Sequence, residues 1–155
     1  MTSQPLNSCF AKDIKRSFAE QAIMQLIGAE LGRIEPGMVE IALSYRTELT
    51  QQNGYLHAGV VTAIADSACG YAAYSLMPAG SEVLSVEFKV NLLRPAKGDK
   101  FLAHADVIKP GKTLTVVKAD VFGVSGEAGD QILVASMLGT MFCIRNVASD
   151  DPARE

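Results

Sequence analysis

The sequence has few of the residues that hold metals or form covalent cross-links: its 155 residues include two histidines, three cysteines and no tryptophan. Neither His57 nor His104 has neighbours at metal-ligand spacing, so no metal site is predicted. Cys9, Cys69 and Cys143 form neither a metal-type pair nor an even set for disulfides. We therefore expect reduced, mostly buried thiols in a cytoplasmic protein.

The chain also lacks an excess of positive charge and an apolar N-terminal segment. Its net charge of −3 argues against general nucleic-acid binding, which normally needs a strongly basic face. Lys12, Asp13, Lys15 and Arg16 interrupt the region where a secretory signal would have its apolar core. These features predict no nucleic-acid partner and no signal peptide.

One run, from Val60 to Met77, is just long enough to raise the question of a membrane span. Alanine, glycine, serine and threonine make this run only weakly hydrophobic, and Asp66 lies near its middle. A charged residue at the centre of an inserted helix costs about 2.5–3.5 kcal/mol on insertion scales. The run therefore predicts a helix buried in a soluble core, and no membrane partner.

The length predicts a single domain, residues 9–146, between a flexible tail of residues 1–8 and an acidic, disordered tail of residues 147–155. Apolar residues recur every four positions from Cys9 to Ile27, which predicts one amphipathic helix that ends at Gly28 or Gly32. Alternation after Pro36-Gly37 predicts a strand over 38–46, and residues 47–57 predict a polar loop.

Beyond the apolar helix, alternation predicts four strands at about 84–92, 101–108, 113–124 and 131–145, with a hairpin loop at 125–130. The expected order is helix, strand, long apolar helix and four antiparallel strands. A helix that is apolar all round must be covered on every side. We therefore predict an α+β fold in which a curved antiparallel sheet wraps one central helix.

Asp66 is the one charged side chain between Gly54 and Glu82. A carboxylate in such surroundings costs several kcal/mol in lost solvation unless it is paired, hydrogen-bonded or neutralised. Its possible tasks are general base for a water or direct nucleophile. The alternative is a structural carboxylate that is hydrogen-bonded to backbone or to a hydroxyl. Cys69, one helical turn on, is interpreted as a small core residue.

The start of the apolar helix is the second candidate site. Free backbone N–H groups around Ala58, Gly59 and Val60 could stabilise the oxyanion that forms when a carbonyl is attacked. The alternative is that His57 caps the helix and Gly59 makes room for packing. Asp66 lies about 13 Å along the helix from His57, so two chains must contribute if both groups act on one substrate. This spacing predicts a site at a dimer interface.

The segment from Lys89 to Lys118 is rich in positive charge, because it contains seven lysines and arginines and two aspartates. Two turns, residues 95–99 and 109–112, present lysines and free amides that would suit a phosphorylated ligand. Solvated strand ends are the alternative explanation. His104 and Asp106 share one strand face, which predicts a surface pair.

In order along the chain, several segments resemble the hotdog-fold acyl-CoA thioesterases of the PaaI-like type, close to the phenylacetate-pathway and 4-hydroxybenzoyl-CoA thioesterases. The similarity runs from about Arg33 to Arg145. It is carried by Gln51-Gln52-Asn53-Gly54-Tyr55-Leu56-His57-Ala58-Gly59-Val60, Asp66, Leu84-Ser85-Val86-Glu87-Phe88, Arg94-Pro95-Ala96-Lys97-Gly98-Asp99 and Lys109-Pro110-Gly111-Lys112-Thr113.

The resemblance implies a role for each matching residue. Asp66, nine positions after His57, would be the base or nucleophile, and Gln51 would lie near the thioester or the attacking water. The amide of Ala58, with Gly59 beside it, would polarise the carbonyl, and Ser85 would help to hold the water. Residues near the phosphates of coenzyme A would be Arg94, Lys97, Lys109, Gly111 and Lys112. No cofactor is implied, because coenzyme A is part of the substrate.

Two departures from the family pattern bear on the site. Ala58 stands where the family commonly has glycine, which keeps the N–H but adds a methyl group beside the substrate. The acid is aspartate rather than glutamate, and its shorter side chain favours a water-activating base.

The predicted function is thus hydrolysis of an acyl- or aryl-CoA at a dimer interface. The alternatives are a hotdog-fold hydratase or dehydratase and a non-catalytic acyl-CoA-binding module. The acyl group and the choice between dimer and tetramer stay open. Candidate pocket residues are Tyr55, Tyr71, Tyr74, Leu76 and Met77.

Overall fold

A computed structural model describes residues 4–145. The elements in chain order are α1 (Phe10–Glu20), α2 (Ala22–Ile27), β1 (Ala29–Glu35), β2 (Met38–Ser44), a short 3-10 helix (Thr47–Leu49), α3 (Ala58–Tyr74), β3 (Ser81–Leu92), β4 (Lys100–Lys109), β5 (Leu114–Ser125) and β6 (Asp130–Arg145). The predicted acidic tail, residues 147–155, lies outside the described residues, as do the first three residues of the predicted N-terminal tail.

The six strands form one antiparallel sheet in the order β1-β2-β4-β5-β6-β3. The sheet curves around α3, which contacts every strand of it. This arrangement confirms the predicted α+β fold with a curved sheet around a long helix. The predicted hairpin loop at 125–130 joins β5 to β6, and the register pairs Ser125 with Asp130 at its base.

The core lies between α3 and the concave face of the sheet. Fully buried α3 residues such as Ile64, Ala65 and Ala68 face fully buried sheet residues such as Ile41 and Phe101. Because the α3 side chains are mostly small, the helix can approach the sheet closely. Within residues 4–145, no helix is both long and apolar enough to cross a membrane.

Two sequence predictions about the N-terminal region are wrong. The single helix from Cys9 to Ile27 is broken at Gln21, whose φ of −79° and ψ of 96° are extended. The end at Gly28 is correct, since this glycine takes a left-handed φ of 73°. The following strand β1 was not predicted, because it is an edge strand with solvent-exposed residues along most of its length and no clean alternation.

One stripe of α3 stays uncovered within the chain. Gly59, Ala63, Asp66 and Gly70 recur every three or four residues, which places them on one helix face. Gly59 is exposed and the other three are half-buried, whereas the opposite faces of α3 are fully buried. The prediction that α3 is covered on every side is therefore wrong for a single chain.

The edge strand β3 is unusually apolar for a solvent-facing edge. It pairs with β6 on one side and with no other strand among the described residues. Four of its apolar side chains are 42–56 % exposed: Leu84, Val86, Phe88 and Leu92. An exposed, long, apolar edge strand is a template for pairing with a further strand.

Charged side chains cluster on β1, β2 and β4. The predicted pair is present, with His104 Nε2 2.9 Å from Asp106 Oδ2, and His104 Nδ1 also lies 2.9 Å from Glu40 Oε1. Arg33 donates two hydrogen bonds to Glu40, at 3.1 and 3.0 Å. These Arg33 hydrogen bonds, with help from His104 and against the effect of burial, lower the pKa of the Glu40 carboxyl to about 2.

We expect Glu40→Gln to remove pH-dependent stability. Because folding lowers the Glu40 pKa from its ordinary 4.5, the stabilisation is complete above pH 4.5 and disappears as the pH falls towards 2. The partner Arg33 faces solvent, so we expect a loss of about 1–2 kcal/mol at pH 7 and almost none at pH 2, measured by denaturant unfolding. Glu35→Gln, an exposed carboxylate 3.8 Å from the same arginine, is the control and should cost less than about 0.5 kcal/mol. An equal loss at both pH values would contradict the prediction.

Candidate active site

The backbone N–H groups in the first turn of α3 differ in whether they have a hydrogen-bond acceptor. His57 is the N-cap, and its Nδ1 accepts the N–H of Gly59 at 2.9 Å. The carbonyl oxygen of His57 accepts the N–H groups of Val60 and Val61 at 2.9 and 3.1 Å. Residues 4–145 offer no acceptor to the N–H of Ala58. The cap that the sequence suggested for His57 is therefore present, and it leaves one free donor at Ala58.

Ala58, which carries this free donor, lines a cavity at the start of α3. The cavity has a volume of about 390 Å³ and is lined by Gln51, Tyr55, Leu56, Ala58, Val61, Leu92, Leu93, Arg94, Pro95, Ala96 and Val134. The loop before α3 is fixed by hydrogen bonds from Leu56 N to Ala96 O and from His57 N to Leu49 O, at 3.1 and 2.9 Å. Because Ala58 lines a mostly apolar cavity and its N–H has no acceptor, a negative charge that develops beside this N–H would be strongly stabilised.

Gln51 and Arg94 line the same cavity, and Lys97 lies against Tyr55, which also lines it. The Gln51 backbone closes a turn with Tyr55, and its side-chain Oε1 accepts the N–H of Asn53. The Lys97 ammonium lies 5.2 Å from the centre of the Tyr55 ring, a cation–π distance, and Arg94 donates to Leu133 O at 2.9 Å. The helix start thus combines a free amide, a side-chain amide and positive charge.

Asp66 lies in a separate, polar cleft. Ser85 Oγ, from β3, donates a hydrogen bond to Asp66 Oδ1 at 2.6 Å. This hydroxyl is the hydrogen-bond partner that the structural alternative for Asp66 required. The carboxylate is only half-buried, however, and it borders an open cleft of about 150 Å³. Among the described residues, no cationic nitrogen lies within 4 Å of it.

The neighbouring thiol is unsuited to nucleophilic catalysis. Burial, assisted by the nearby charge of Asp66, raises the pKa of Cys69 to about 12, so it stays a neutral thiol at physiological pH. Cys69 and Cys143 are buried, as expected for most of the thiols, whereas Cys9 is exposed. No cluster of three or more potential metal ligands occurs in the described part of the chain.

The structure therefore brings the sequence-predicted residues together in three places. Gln51, Ala58, Arg94 and Lys97 lie at the start of α3, with His57 and Gly59 in its cap. Asp66 and Ser85 lie beside its middle. The third group, Lys109, Gly111 and Lys112, lies at the β4–β5 turn, where Gly111 and Lys112 border a groove beyond the end of α3.

The geometry of the β4–β5 turn requires glycine at position 111, independently of any ligand. A Cβ at this position would lie 2.0 Å from the carbonyl oxygen of Leu114, so only glycine fits the turn. Among the candidate pocket residues, Tyr55 lines the cavity at the start of α3 and Tyr71 the Asp66 cleft. Tyr74 lines a polar groove beside α1, whereas Leu76 and Met77 line the groove beyond α3.

The polar wall of the Asp66 cleft was not predicted from the sequence. Ser17 from α1 lies 3.2 Å from the Tyr71 hydroxyl, and Ser67 donates to Gln21 Oε1 at 3.1 Å. Both hydrogen bonds join the N-terminal helical region to α3. Little in the sequence indicated these contacts. Ser17 and Gln21 are uncharged polar residues four positions apart on a face of the predicted N-terminal helix that otherwise carries charges.

Comparison with known proteins gives a consistent result. A sequence profile of the thioesterase superfamily matches residues 53–129. A crystal structure of a thioesterase family protein from Silicibacter pomeroyi is 45% identical, covers 88% of this chain and 98% of its own, and superposes with a TM-score of 0.85. The 1,4-dihydroxy-2-naphthoyl-CoA hydrolase of Listeria monocytogenes is 28% identical over 61% of this chain and 76% of its own.

The fold comparison extends to more distant structures. The E. coli PaaI protein from the phenylacetic acid degradation operon is 22% identical, covers 88% of this chain and 95% of its own, and superposes with a TM-score of 0.75. This similarity confirms the hotdog fold that the sequence resemblance implied. The chain belongs to the thioesterase superfamily and is a hydrolase of thioester bonds.

Proposed function

We propose that the protein is an acyl-CoA thioesterase whose active site is shared between two copies of the chain. The observation that carries the proposal is that the carboxylate and the free amide occupy separate clefts. Asp66 and Ala58 are eight positions apart on one straight helix, which corresponds to about 12 Å. Reacting groups must approach to about 3–3.5 Å, so one chain cannot bring both groups to one carbonyl.

A dimer formed through the exposed edge of β3 would bring the Asp66 of one chain to the Ala58 of the other. Ser85, which contacts Asp66, and Leu92, which lines the cavity at the start of α3, are seven positions apart on β3, or about 24 Å. If two β3 edges pair antiparallel with Ser85 opposite the partner's Leu92, each Asp66 cleft meets the partner's helix-start cavity. A two-fold axis between positions 88 and 89 generates both contacts at once.

Such pairing would also account for two surfaces that a single chain leaves open. The exposed side chains of β3 would be covered by the partner's β3, which removes the free edge. The uncovered stripe of α3, with Ala63 and Asp66, would face the partner's α3 across the same axis. The dimer therefore buries the surfaces that a single chain leaves open.

The chemistry follows from the two half-sites. Asp66, held by Ser85 through Oδ1, uses its remaining oxygen to take a proton from a water, and that water attacks the thioester carbon. The partner's Ala58 N–H stabilises the oxyanion of the tetrahedral intermediate, and the partner's Gln51 orients the thioester. When the intermediate collapses, the C–S bond breaks, and the proton on Asp66 passes to the departing thiolate of coenzyme A.

The nucleotide end of the substrate would lie on the chain that supplies Ala58. Arg94 lines the helix-start cavity, Lys97 lies against the Tyr55 ring at the same cavity, and both would supply positive charge for the phosphates. The contribution of Lys109, Gly111 and Lys112 to the same phosphates stays a prediction. No specific contact of this site favours the hydratase or the binding-module alternative.

Thiol release from acyl-CoAs tests this function directly. The wild type is expected to release free coenzyme A from at least one member of a panel of short, medium, long and aromatic acyl-CoAs. Asp66→Asn keeps an acceptor for Ser85 but cannot take a proton, so we expect kcat to fall by a factor of about 10²–10⁴ with an unchanged melting temperature. Asp130→Asn, in the exposed hairpin loop, is the matched control. Undiminished hydrolysis by Asp66→Asn would rule out the proposed base.

Removal of the Ala58 N–H tests the other half-site. Proline is well tolerated at the first position of a helix, and the extended backbone of His57 suits a following proline. Ala58→Pro should therefore fold normally and lose about 10²–10³ in kcat, whereas Ala58→Gly, which keeps the N–H, should lose far less.

Mixing the two inactive variants tests whether the site is shared. A heterodimer of Asp66→Asn and Ala58→Pro chains contains one site in which both groups are intact. After dissociation and reassociation of an equal mixture, we expect roughly a quarter of the wild-type activity, because half of the dimers carry one intact site of two. If the mixture stays inactive although exchange of subunits has been demonstrated, each chain acts by itself.

A further inference from the structure

Gly70 is an unexplained glycine inside helix α3, on the stripe that the chain leaves uncovered. Glycine is the least favourable residue for a helix interior apart from proline, because it loses the most backbone freedom. Gly70 is not among the glycines with positive φ, so its backbone conformation does not require glycine. Apart from its chain neighbours and the backbone of its own helix turn, a Cβ at this position would meet no atom of the described residues within 4 Å, so packing within the chain does not require glycine either.

The space beside Gly70 belongs to the Asp66 cleft. Gly70 follows Asp66 by four residues, so both lie on the same face of α3, and both line the cleft of about 150 Å³. The opposite wall is held in place by the hydrogen bonds between Ser17 and Tyr71 and between Gln21 and Ser67. These bonds tie the N-terminal helical region to α3 and prevent the wall from collapsing into the space.

The partner's helix does not reach this space in the proposed dimer. If Asp66 meets the partner's Ala58, the two-fold axis passes near position 62 of both antiparallel helices. Gly70 then lies opposite position 54 of the partner, four residues before the partner's α3 begins. Close packing of two helices is therefore not the reason for the glycine, and the cleft stays open towards the reacting carbonyl.

We propose that Gly70 determines the size of the acyl group that the enzyme accepts; the proposal rests on the thioesterase function above. The nucleotide end lies on the partner, with Arg94 and Lys97, so the acyl group must extend in the other direction, past Asp66 and over Gly70. An apolar cavity of about 150 Å³ in another protein holds one benzene molecule. By volume, the Asp66 cleft has room for a single ring or a chain of about six carbons, which would lie over Gly70 and beside Tyr71 and Val83 in an otherwise polar lining.

A series of substitutions at Gly70 tests this assignment. Gly70→Leu fills the space, and we expect kcat/KM for hexanoyl-CoA and benzoyl-CoA to fall at least about 10-fold relative to kcat/KM for acetyl-CoA. Gly70→Ala should show a smaller change in the same direction. Gly70→Ala should also raise the melting temperature by about 2–4 °C while the protein keeps its oligomeric state, since the helix then gains a better helix former.

Two results would overturn the assignment. One is an unchanged ratio of hexanoyl-CoA to acetyl-CoA turnover in Gly70→Leu. The other is a lower melting temperature or a dissociated oligomer in Gly70→Ala, which would identify Gly70 as a contact between subunits.

A binding measurement separates this inference from the thioesterase function. If the wild type hydrolyses none of the acyl-CoAs, the thioesterase function fails, but the thioethers S-hexyl-CoA and S-methyl-CoA still report on the cleft by calorimetry. The wild type should bind S-hexyl-CoA more tightly, and Gly70→Leu should lose at least about 10-fold for S-hexyl-CoA only. Equal loss for both thioethers, or no preference in the wild type, would contradict a role of Gly70 in acyl-group size.

Discussion

The packing of α3 against the concave face of the sheet is the contact on which the other features depend. It buries Ile64, Ala65 and Ala68 and thereby fixes the rotation of the helix about its axis. With that rotation fixed, Asp66 faces Ser85 on β3 and the first turn faces its own cavity. This hydrophobic contact has no chemical specificity of its own, but it positions the Asp66 carboxylate and the first turn of α3.

The same helix imposes a distance that the chain cannot shorten. A rigid α-helix holds the Asp66 carboxylate and the Ala58 N–H about 12 Å apart, and no side-chain rotation closes such a gap. Chemistry that needs both groups must recruit one of them from elsewhere. The apolar edge of β3 and the uncovered stripe of α3 are the surfaces through which the proposed dimer would do so, because a single chain leaves both of them open.

How well each element could be predicted depended on whether a regular pattern in its own residues marks it or whether it forms through tertiary packing. The long helix and the central strands were predicted well, since burial imposes a period on their residues. Strand β1 was missed because Glu30, Arg33 and Glu35 face solvent along an edge, and the break at Gln21 has no proline or glycine to mark it. Asp66 stood out as a lone charge, but Ser17 and Gln21 reach its cleft only through tertiary packing.

Several local rules are violated along one surface of the molecule. Asp66 places a carboxylate in an apolar helix, Gly70 weakens that helix, Ala58 leaves its N–H without an acceptor, and β3 exposes apolar residues on an edge. Gly70 within a helix and apolar side chains on a free edge cost folding free energy in a single chain, and the core requires none of the four features. Because natural sequences tolerate such conflicts chiefly at functional sites, their concentration on the surface around α3 and β3 is itself an argument that this surface binds the substrate.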